Sequence, residues 1–358
     1  MAEIKLKAGV LTVDDMTDLD GFFNSADEIY SLRINLFDDK SNKFKNLKIL
    51  DFIADNASKF CANGLQDVNL IINYERLPKE IFEILAKFDK KVGQSLKCKV
   101  CVNHKYEDDR GFKDSEEVKW SVGAIVKANT QIDKVCDFIK KNKFSPLEAL
   151  AFIHTYVGNV EKYTESHMFN HDWYNKDQFF AGIFEELPQV VCAGYSSLEK
   201  EIIDNLNMPG LACELANVQF EREGDYSTCR HTRCYITVKD DKYGINQSCY
   251  DDATWDSHKN DELCYAHFAM SNKCHDRELN NRYDYYIPHF EYIDKDTAAY
   301  TVADDYNPSQ REYDIGKNKL DQKTIEKIYF SVLQKSYKSK NFEEIYDNLE
   351  KIAANSYK

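Results

Sequence analysis

One cysteine of this 358-residue chain stands where a thiol could act as a nucleophile. Cys192 directly precedes a segment whose apolar residues recur at helical spacing, which predicts that it lies at a helix N-terminus. The unpaired N–H groups and the positive dipole end at that position favour thiolate over thiol. Ala193 and Gly194 are small enough to admit a substrate carbonyl, and the Cys192 N–H could donate to an oxyanion. Since the chain has eleven cysteines and most free cysteines pack as small apolar residues, the interpretation depends on the partners of Cys192.

A thiol nucleophile needs a base, and the base needs an acceptor for its second ring nitrogen. His231 begins one strand-like segment and Asp252 ends the next, with a polar turn at residues 240–242 between them. In a regular antiparallel hairpin with that turn at its centre, the two residues would face each other. Alternation places His231 with Arg233 on the polar face of the strand, where the ring can line a cleft. The alternative is a surface histidine and a cross-strand aspartate, a pair worth less than about 1 kcal/mol.

These three positions resemble the catalytic elements of the transglutaminase-like (papain-like) cysteine enzymes. In that family the nucleophile, the histidine and the aspartate follow one another in this order, and spacings of 39 and 21 residues suit it. The matching stretches are VCAGYS at 191–196, the strand begun by His231, DATWD at 252–256 and YAHFAMS at 265–271. The resemblance implies that Cys192 is the nucleophile, that His231 is the base and then the acid, and that Asp252 orients the imidazole.

Further roles follow from the same resemblance, which covers about residues 145–275, a little over a third of the chain. Substrate binding is expected from Gly194, Tyr195, Arg233 and Trp255, of which Trp255 is also expected to be a packing residue. Family members often carry tryptophan two residues after the histidine, where this chain has Arg233. That departure leaves the choice of substrate open.

Two functional positions stay open at this point. Gln178 and Gln189 are candidates for a side-chain oxyanion donor by their chemistry alone. Asp251 is a weaker alternative to Asp252, because a shift of one residue along a strand points a side chain to the opposite face.

The elements that must position these residues predict an α+β protein. In the expected core, a helix bearing Cys192 packs on an antiparallel sheet bearing His231 and Asp252, and an additional N-terminal α/β domain precedes it. The predicted domains are 1–144 (N-terminal, role unknown), 145–295 (transglutaminase-like catalytic) and 296–358 (C-terminal helical extension). Predicted strands are 4–13, 32–37, 68–73, 96–102, 118–126, 211–220, 231–238 and 243–252. Predicted helices are 45–60, 78–88, 129–142, 147–159 and 192–206, with two more after about residue 321.

Composition excludes several classes of function. A net charge of −14 without a basic patch argues against a nucleic-acid partner. No run approaches the ~20 apolar residues of a membrane span, and the N-terminus lacks an apolar leader. We therefore expect a soluble protein without a membrane partner, located in the reducing cytoplasm, although the composition is also compatible with export as an effector. The scattered cysteines are expected to be free thiols.

Other motifs are weaker. Cys98 and Cys101 have the spacing of a metal or redox pair, but an odd separation on a strand sends the two thiols to opposite faces. A zinc cluster of Cys264, His267, Cys274 and His275 conflicts with the packing expected there. Residues 16–21 imitate part of a calcium loop, but the first ligand position is methionine. We expect no metal and no cofactor.

The function expected from the sequence is cysteine-dependent acyl transfer from a protein or peptide amide. Water as the acceptor would make the enzyme a peptidase or deamidase, and a lysine-type amine would make it a transglutaminase. The absence of a recognisable calcium loop favours hydrolysis. The alternative is a binding or scaffold protein that keeps the fold without turnover.

Overall fold

The computed structural model describes most of the first 257 residues and short segments beyond them. The described residues are 6–7, 9–24, 28–38, 43–72, 77–93, 95–107, 113–160, 178–188, 190–222, 225–257, 267–269, 286–293, 297–299, 313–315, 318–320, 328 and 331–332. Over these residues, helices combine with a six-stranded mixed sheet and a five-stranded antiparallel sheet, which agrees at that level with the predicted α+β class. The chain forms two compact units, the first of which holds the described residues up to Thr130 together with residues 184–188, and the second the other described residues.

The first unit is built around the mixed sheet. Its elements are β1 (Leu6–Lys7), β2 (Val10–Val13), α1 (Met16–Asn24), β3 (Ser31–Asn35), β4 (Phe37–Asp38), β5 (Lys43–Phe44), α2 (Leu47–Asp55), α3 (Ala57–Ala62), β6 (Asp67–Ile71), α4 (Lys79–Val92), β7 (Lys97–Glu107), β8 (Lys113–Ser121) and the start of α5 (Val122–Lys141). The sheet order is β1-β2-β3-β6-β7-β8, with β2, β3, β6 and β7 parallel. Alternate strand residues such as Leu32, Ile34, Val68 and Leu70 are buried and form its core.

Several predicted elements of this unit have different bounds, and for two of them a polar side chain gives the reason. The strand expected at 118–126 ends at Ser121, whose hydroxyl accepts a hydrogen bond from the Ala124 N–H at 3.0 Å and caps α5. The helix expected at 45–60 is divided at Asn56, whose side chain donates to the Phe52 carbonyl at 2.9 Å. In both places a polar side chain bonds to the local backbone and sets the helix boundary.

The second unit contains the antiparallel sheet. Its elements after α5 are α6 (Pro146–Val160), a 3-10 helix (Phe180–Phe184), α7 (Cys192–Leu206), β9 (Leu211–Arg222), β10 (Asp225–Asp240), β11 (Ile245–Asp251), α8 (Ala253–Asp256), β12 (Tyr286–Ile293), β13 (Thr297–Ala299), β14 (Tyr313–Ile315) and β15 (Asn318–Leu320). The sheet order is β11-β10-β9-β12-β13. The helices expected after residue 321 lie mostly outside the described residues, although Ile328 and Val332 are helical and buried.

Helix α6 begins where its sequence signature predicts. The Ser145 N–H donates to Glu148 Oε2 at 3.0 Å, as in a capping box, and the Leu147 N–H donates to Asp240 Oδ2 at 2.9 Å. Glu148 is also buried against Lys242, whose Nζ donates to Oε1 at 2.6 Å. The start of α6 is therefore tied to the turn between β10 and β11.

Among the helices in the described ranges, none is long and apolar enough to cross a membrane.

We expect Gly210→Ala to destabilise the second unit, because Gly210 has φ +90° between α7 and β9. A Cβ at this position would lie 2.3 Å from the Lys239 carbonyl oxygen. The Lys239 N–H also donates to the Gly210 carbonyl at 2.7 Å, so the two backbones are held close together. The combined strain and steric overlap should lower the free energy of unfolding by about 2 kcal/mol or more. Urea unfolding followed by circular dichroism measures the decrease in the free energy of unfolding.

Gly123→Ala is the control, because the new Cβ would make only ordinary contacts from 3.7 Å and alanine favours the helix. Equal stability of the two variants would contradict the expectation.

Candidate active site

Cys192 is the first residue of α7, as its sequence context predicts. The preceding Val191 is extended and supplies no side-chain cap, so the thiol stands at a helix start whose N–H groups are not capped by that side chain. The Ser196 hydroxyl, one turn later, donates to the Thr232 carbonyl at 2.9 Å and ties α7 to β10. Apolar residues of α7, among them Leu198 and Ile202, are buried and fix its orientation. Cys192 itself is 9% exposed.

His231 lies within β10, which begins six residues before it rather than at the histidine as predicted. Residues 225–230 extend the strand by continuing its pairing with β9. Nε2 of the ring is 2.6 Å from Asp252 Oδ2, and the ring stacks on Trp255 with centroids 4.7 Å apart and planes inclined by 10°. Since Nε2 is bound to the carboxylate, Nδ1 is the nitrogen left to serve the hydrogen-bonded thiol of Cys192.

Asp252 follows β11 and is the N-cap of α8. Its Oδ1 accepts from the Trp255 N–H at 3.3 Å, while Oδ2 is taken by His231. Its own N–H donates to the His267 carbonyl at 3.1 Å. The residues of the DATWD element thus have distinct local functions, because the aspartate caps the short helix that carries the tryptophan under the histidine ring.

The charges of the three groups support one another. Burial by itself raises the pKa of the Cys192 thiol, but the charge and hydrogen bond of His231, helped by the Thr232 backbone, hold it below its ordinary value. Burial lowers the pKa of His231, but Asp252 and Cys192 outweigh it and raise that pKa to about 9. The pKa of Asp252 falls to about 2 despite burial, because His231 and Arg233 stabilise its charge. Each charge therefore stabilises its neighbour, which shifts the equilibrium of the Cys192–His231 pair towards thiolate and imidazolium.

The hairpin register differs from the predicted one by two residues. Cys234 pairs with Asp251, and the ladder runs to the pair of Asp240 with Ile245, so the connection is residues 241–244 rather than 240–242. Asp240 stays in the strand because its carboxylate accepts from the first turn of α6. A shift of two keeps His231 on the predicted face. Asp252 reaches it by turning out of the strand, with φ −138° and ψ 76°.

The four expected substrate-binding residues surround the three groups but are buried. Gly194 and Tyr195 lie in the first turn of α7, where both N–H groups donate to the Val191 carbonyl. Arg233 and Tyr195 are fully buried and Trp255 is 6% exposed. The Arg233 guanidinium lies 5.3 Å from the centre of the Trp255 ring and stabilises the Asp252 charge. Trp255 stacks on the His231 ring and Arg233 lies beside Trp255, whereas Gly194 and Tyr195 are buried in the first turn of α7.

The remaining sequence candidates have separate positions. Gln178 is half-buried just before the 3-10 helix, and Gln189 lies outside the described residues. Burial raises the pKa of the Cys98 thiol to about 12 and that of Cys101 to about 11, which makes them poor nucleophiles. Of the proposed zinc cluster, only His267 is described. Within the part of the chain that the structure describes, no group of three or more potential ligands could hold a metal.

Sequence reasoning missed a second buried cluster next to Asp252. His154 of α6 contacts both Asp251 and Asp256, and His267 also binds Asp256. Asp251, the weaker alternative for the acceptor role, therefore faces away from His231 and has its own imidazole partner. The only signal in the sequence was a histidine on the apolar face of a predicted helix.

Comparisons with protein-family models, with curated proteins and with solved structures found no match to this chain. Any assignment of function therefore rests on the chemistry of the site itself.

Proposed function

We propose that this chain is a cysteine-dependent acyl-transfer enzyme of the transglutaminase-like type, acting on protein or peptide amides. The observation that carries the proposal is the contact of an orienting carboxylate with a base whose charge acts on the nucleophile, the three groups coming from separate elements. The Asp252 Oδ2 to His231 Nε2 distance is 2.6 Å, and the charge and hydrogen bonding of His231 lower the pKa of the Cys192 thiol at the start of α7. Thiol, imidazole and carboxylate in this relation are the recurring parts of thiol acyl transfer.

In the proposed reaction, the Cys192 thiolate attacks the amide carbonyl carbon and forms a tetrahedral oxyanion. In the proposal, the Cys192 N–H at the helix start donates to that oxygen. The His231 imidazolium gives its proton to the leaving nitrogen as the C–N bond breaks, which leaves a thioester on Cys192. Neutral His231 then takes a proton from water or an amine as that acceptor attacks the thioester and regenerates the thiolate. We propose hydrolysis as the main outcome.

Labelling with an electrophilic cysteine-protease probe tests the proposal. We expect the native full-length protein to be modified at Cys192, as located by peptide mass spectrometry, and Cys192→Ala to lose that modification. Cys234→Ala is the matched control, because Cys234 is also buried in this unit but burial raises its thiol pKa well above the ordinary value. Labelling that is spread over many cysteines, or that is unchanged in Cys192→Ala, would contradict the enzyme hypothesis and favour a scaffold protein.

A second measurement separates the acceptors. A glutamine-containing peptide is incubated with the enzyme, with and without a primary amine, while ammonia and cross-linked product are followed. Ammonia release or peptide cleavage without cross-linking would support hydrolysis. An amine-dependent cross-link would contradict hydrolysis as the main outcome and support transglutamination.

A further inference from the structure

The second cluster surrounds the segment that presents Asp252. Nδ1 of His154 lies 2.6 Å from Asp251 Oδ2, and its Nε2 lies 3.0 Å from Asp256 Oδ2. His154 and Asp251 are at most 1% exposed and Asp256 is 5% exposed. One ring from α6 therefore binds the last residue of β11 and the last residue of α8, with Asp252 between them.

The positive charge of the His154 ring explains why it binds both Asp251 and Asp256. An imidazole that donates from both nitrogens carries two N–H groups and is therefore a cation. Burial lowers the pKa of His154, but the two carboxylates outweigh burial and raise it well above its ordinary value. Burial also raises the pKa of the nearby Glu199, which bonds Asp251 and whose neutral form avoids a further buried negative charge. The bridge is thus a buried cation between two carboxylates, an arrangement whose disruption is costly.

Backbone contacts connect the bridge to Asp252. The Ala269 N–H donates to Asp251 Oδ1 at 2.8 Å, and the His267 N–H donates to Asp256 Oδ2 at 2.9 Å. The His267 carbonyl then accepts from the Asp252 N–H at 3.1 Å. The same two carboxylates that bind His154 therefore hold the short segment against which the Asp252 backbone is fixed.

We infer that His154 is a positioning residue, which holds the ends of the 251–256 segment so that Asp252 Oδ2 stays in contact with His231. Its importance for turnover rests on the proposed function, but its effect on the Asp252–His231 contact does not. His154 acts through its bonds to Asp251 and Asp256.

The test is His154→Gln in the full chain, with the titration of His231 followed by nitrogen-15 histidine NMR. If the bridge positions Asp252, its loss should lower the pKa of His231 from about 9 by one unit or more, which is about tenfold in the protonation equilibrium. The alkylation rate of Cys192 at neutral pH should fall in parallel. The matched control is Glu148→Gln, which removes another buried charged group of α6 whose partner Lys242 is remote from the 251–256 segment.

A folded His154→Gln protein in which His231 titrates as in the wild type would overturn the inference, as would an equal shift in Glu148→Gln. If His154→Gln does not fold, Asp256→Asn decides, because it removes the carboxylate charge that His154 and His267 share at the α8 end while an amide oxygen can still accept from the His267 N–H, and it should lower the His231 pKa in the same direction. A wild-type protein with a raised His231 pKa but an unreactive Cys192 would refute the proposed function and leave the positioning result standing.

Discussion

His231→Asn should reduce alkylation of Cys192 at pH 7 by about 100-fold, because the interactions that lower the thiol pKa would be lost. Burial alone raises the pKa of this thiol, and the His231 charge and hydrogen bond are the main opposing influences. Without the imidazole, little thiolate should remain at neutral pH. Turnover of an amide substrate should fall further, by about 10² to 10⁴ beyond the loss of thiolate, because the proton donor for the leaving nitrogen is also gone.

The pH dependence of the wild-type protein follows from the same pair. The reactive form combines a thiolate with a protonated ring, so activity should rise as the thiol ionises and fall as His231 loses its proton at about pH 9. Alkylation needs only the thiolate and has no such upper limb, so the wild-type rate should level off at a lower pH, whereas in His231→Asn alkylation should increase up to and beyond pH 9. Rates measured from pH 5 to 10 with site-specific mass spectrometry separate the two profiles.

Thr237→Ala is the control for that comparison. It lies on the same strand and face as His231, is exposed, and its hydroxyl contacts only Ser248, at 3.0 Å, among the recorded hydrogen bonds. Its alkylation rate and pH profile should match the wild type. An unchanged rate in His231→Asn would show that the thiol does not depend on the imidazole.

The three central residues could be chosen from the sequence, two of them because local rules place them. Helical spacing after Cys192 predicts the helix start and strand alternation predicts the face of His231, whereas Asp252 was chosen from the expected hairpin pairing and the family resemblance. The exact register of β10 with β11 could not be predicted from such local rules. A buried Asp240 that caps α6 from 93 residues away decides where the ladder ends.

Residues that act through long-range contacts were beyond the sequence pattern. His154 is 97 positions from Asp251 and 102 from Asp256, so no spacing rule connects them. A histidine on an apolar helix face is more often a packing residue, and only the folded chain shows two carboxylates meeting it. For Arg233, likewise, alternation gave the face but not the complete burial beside Trp255.

Asp252→Asn should lower turnover by about 10⁴-fold while the protein stays folded, because an amide in place of the carboxylate no longer fixes the imidazole tautomer or stabilises its charge. The charge of Asp252 is the largest of the influences that raise the pKa of His231, so that pKa should fall from about 9 towards its ordinary value in the variant. The asparagine can still cap α8 through its side-chain oxygen, which preserves the Trp255 N–H bond seen at 3.3 Å. Asp241→Asn in the exposed turn is the control and should keep full activity.

The stability difference between wild type and Asp252→Asn should itself depend on pH, and its sign follows from the two shifts. The depressed pKa of Asp252, about 2, stabilises the folded protein above the ordinary aspartate range, and this contribution is lost as pH falls through 2. The raised pKa of His231 stabilises the fold below the ordinary histidine value, and this contribution is lost as pH rises through about 9. Urea unfolding should therefore show the largest difference, about 3 kcal/mol, between the ordinary aspartate and histidine pKa values and a smaller one at pH 10. A difference that is the same at pH 7 and pH 10 would mean that the His231–Asp252 pair does not carry the charges on which the proposed catalysis depends.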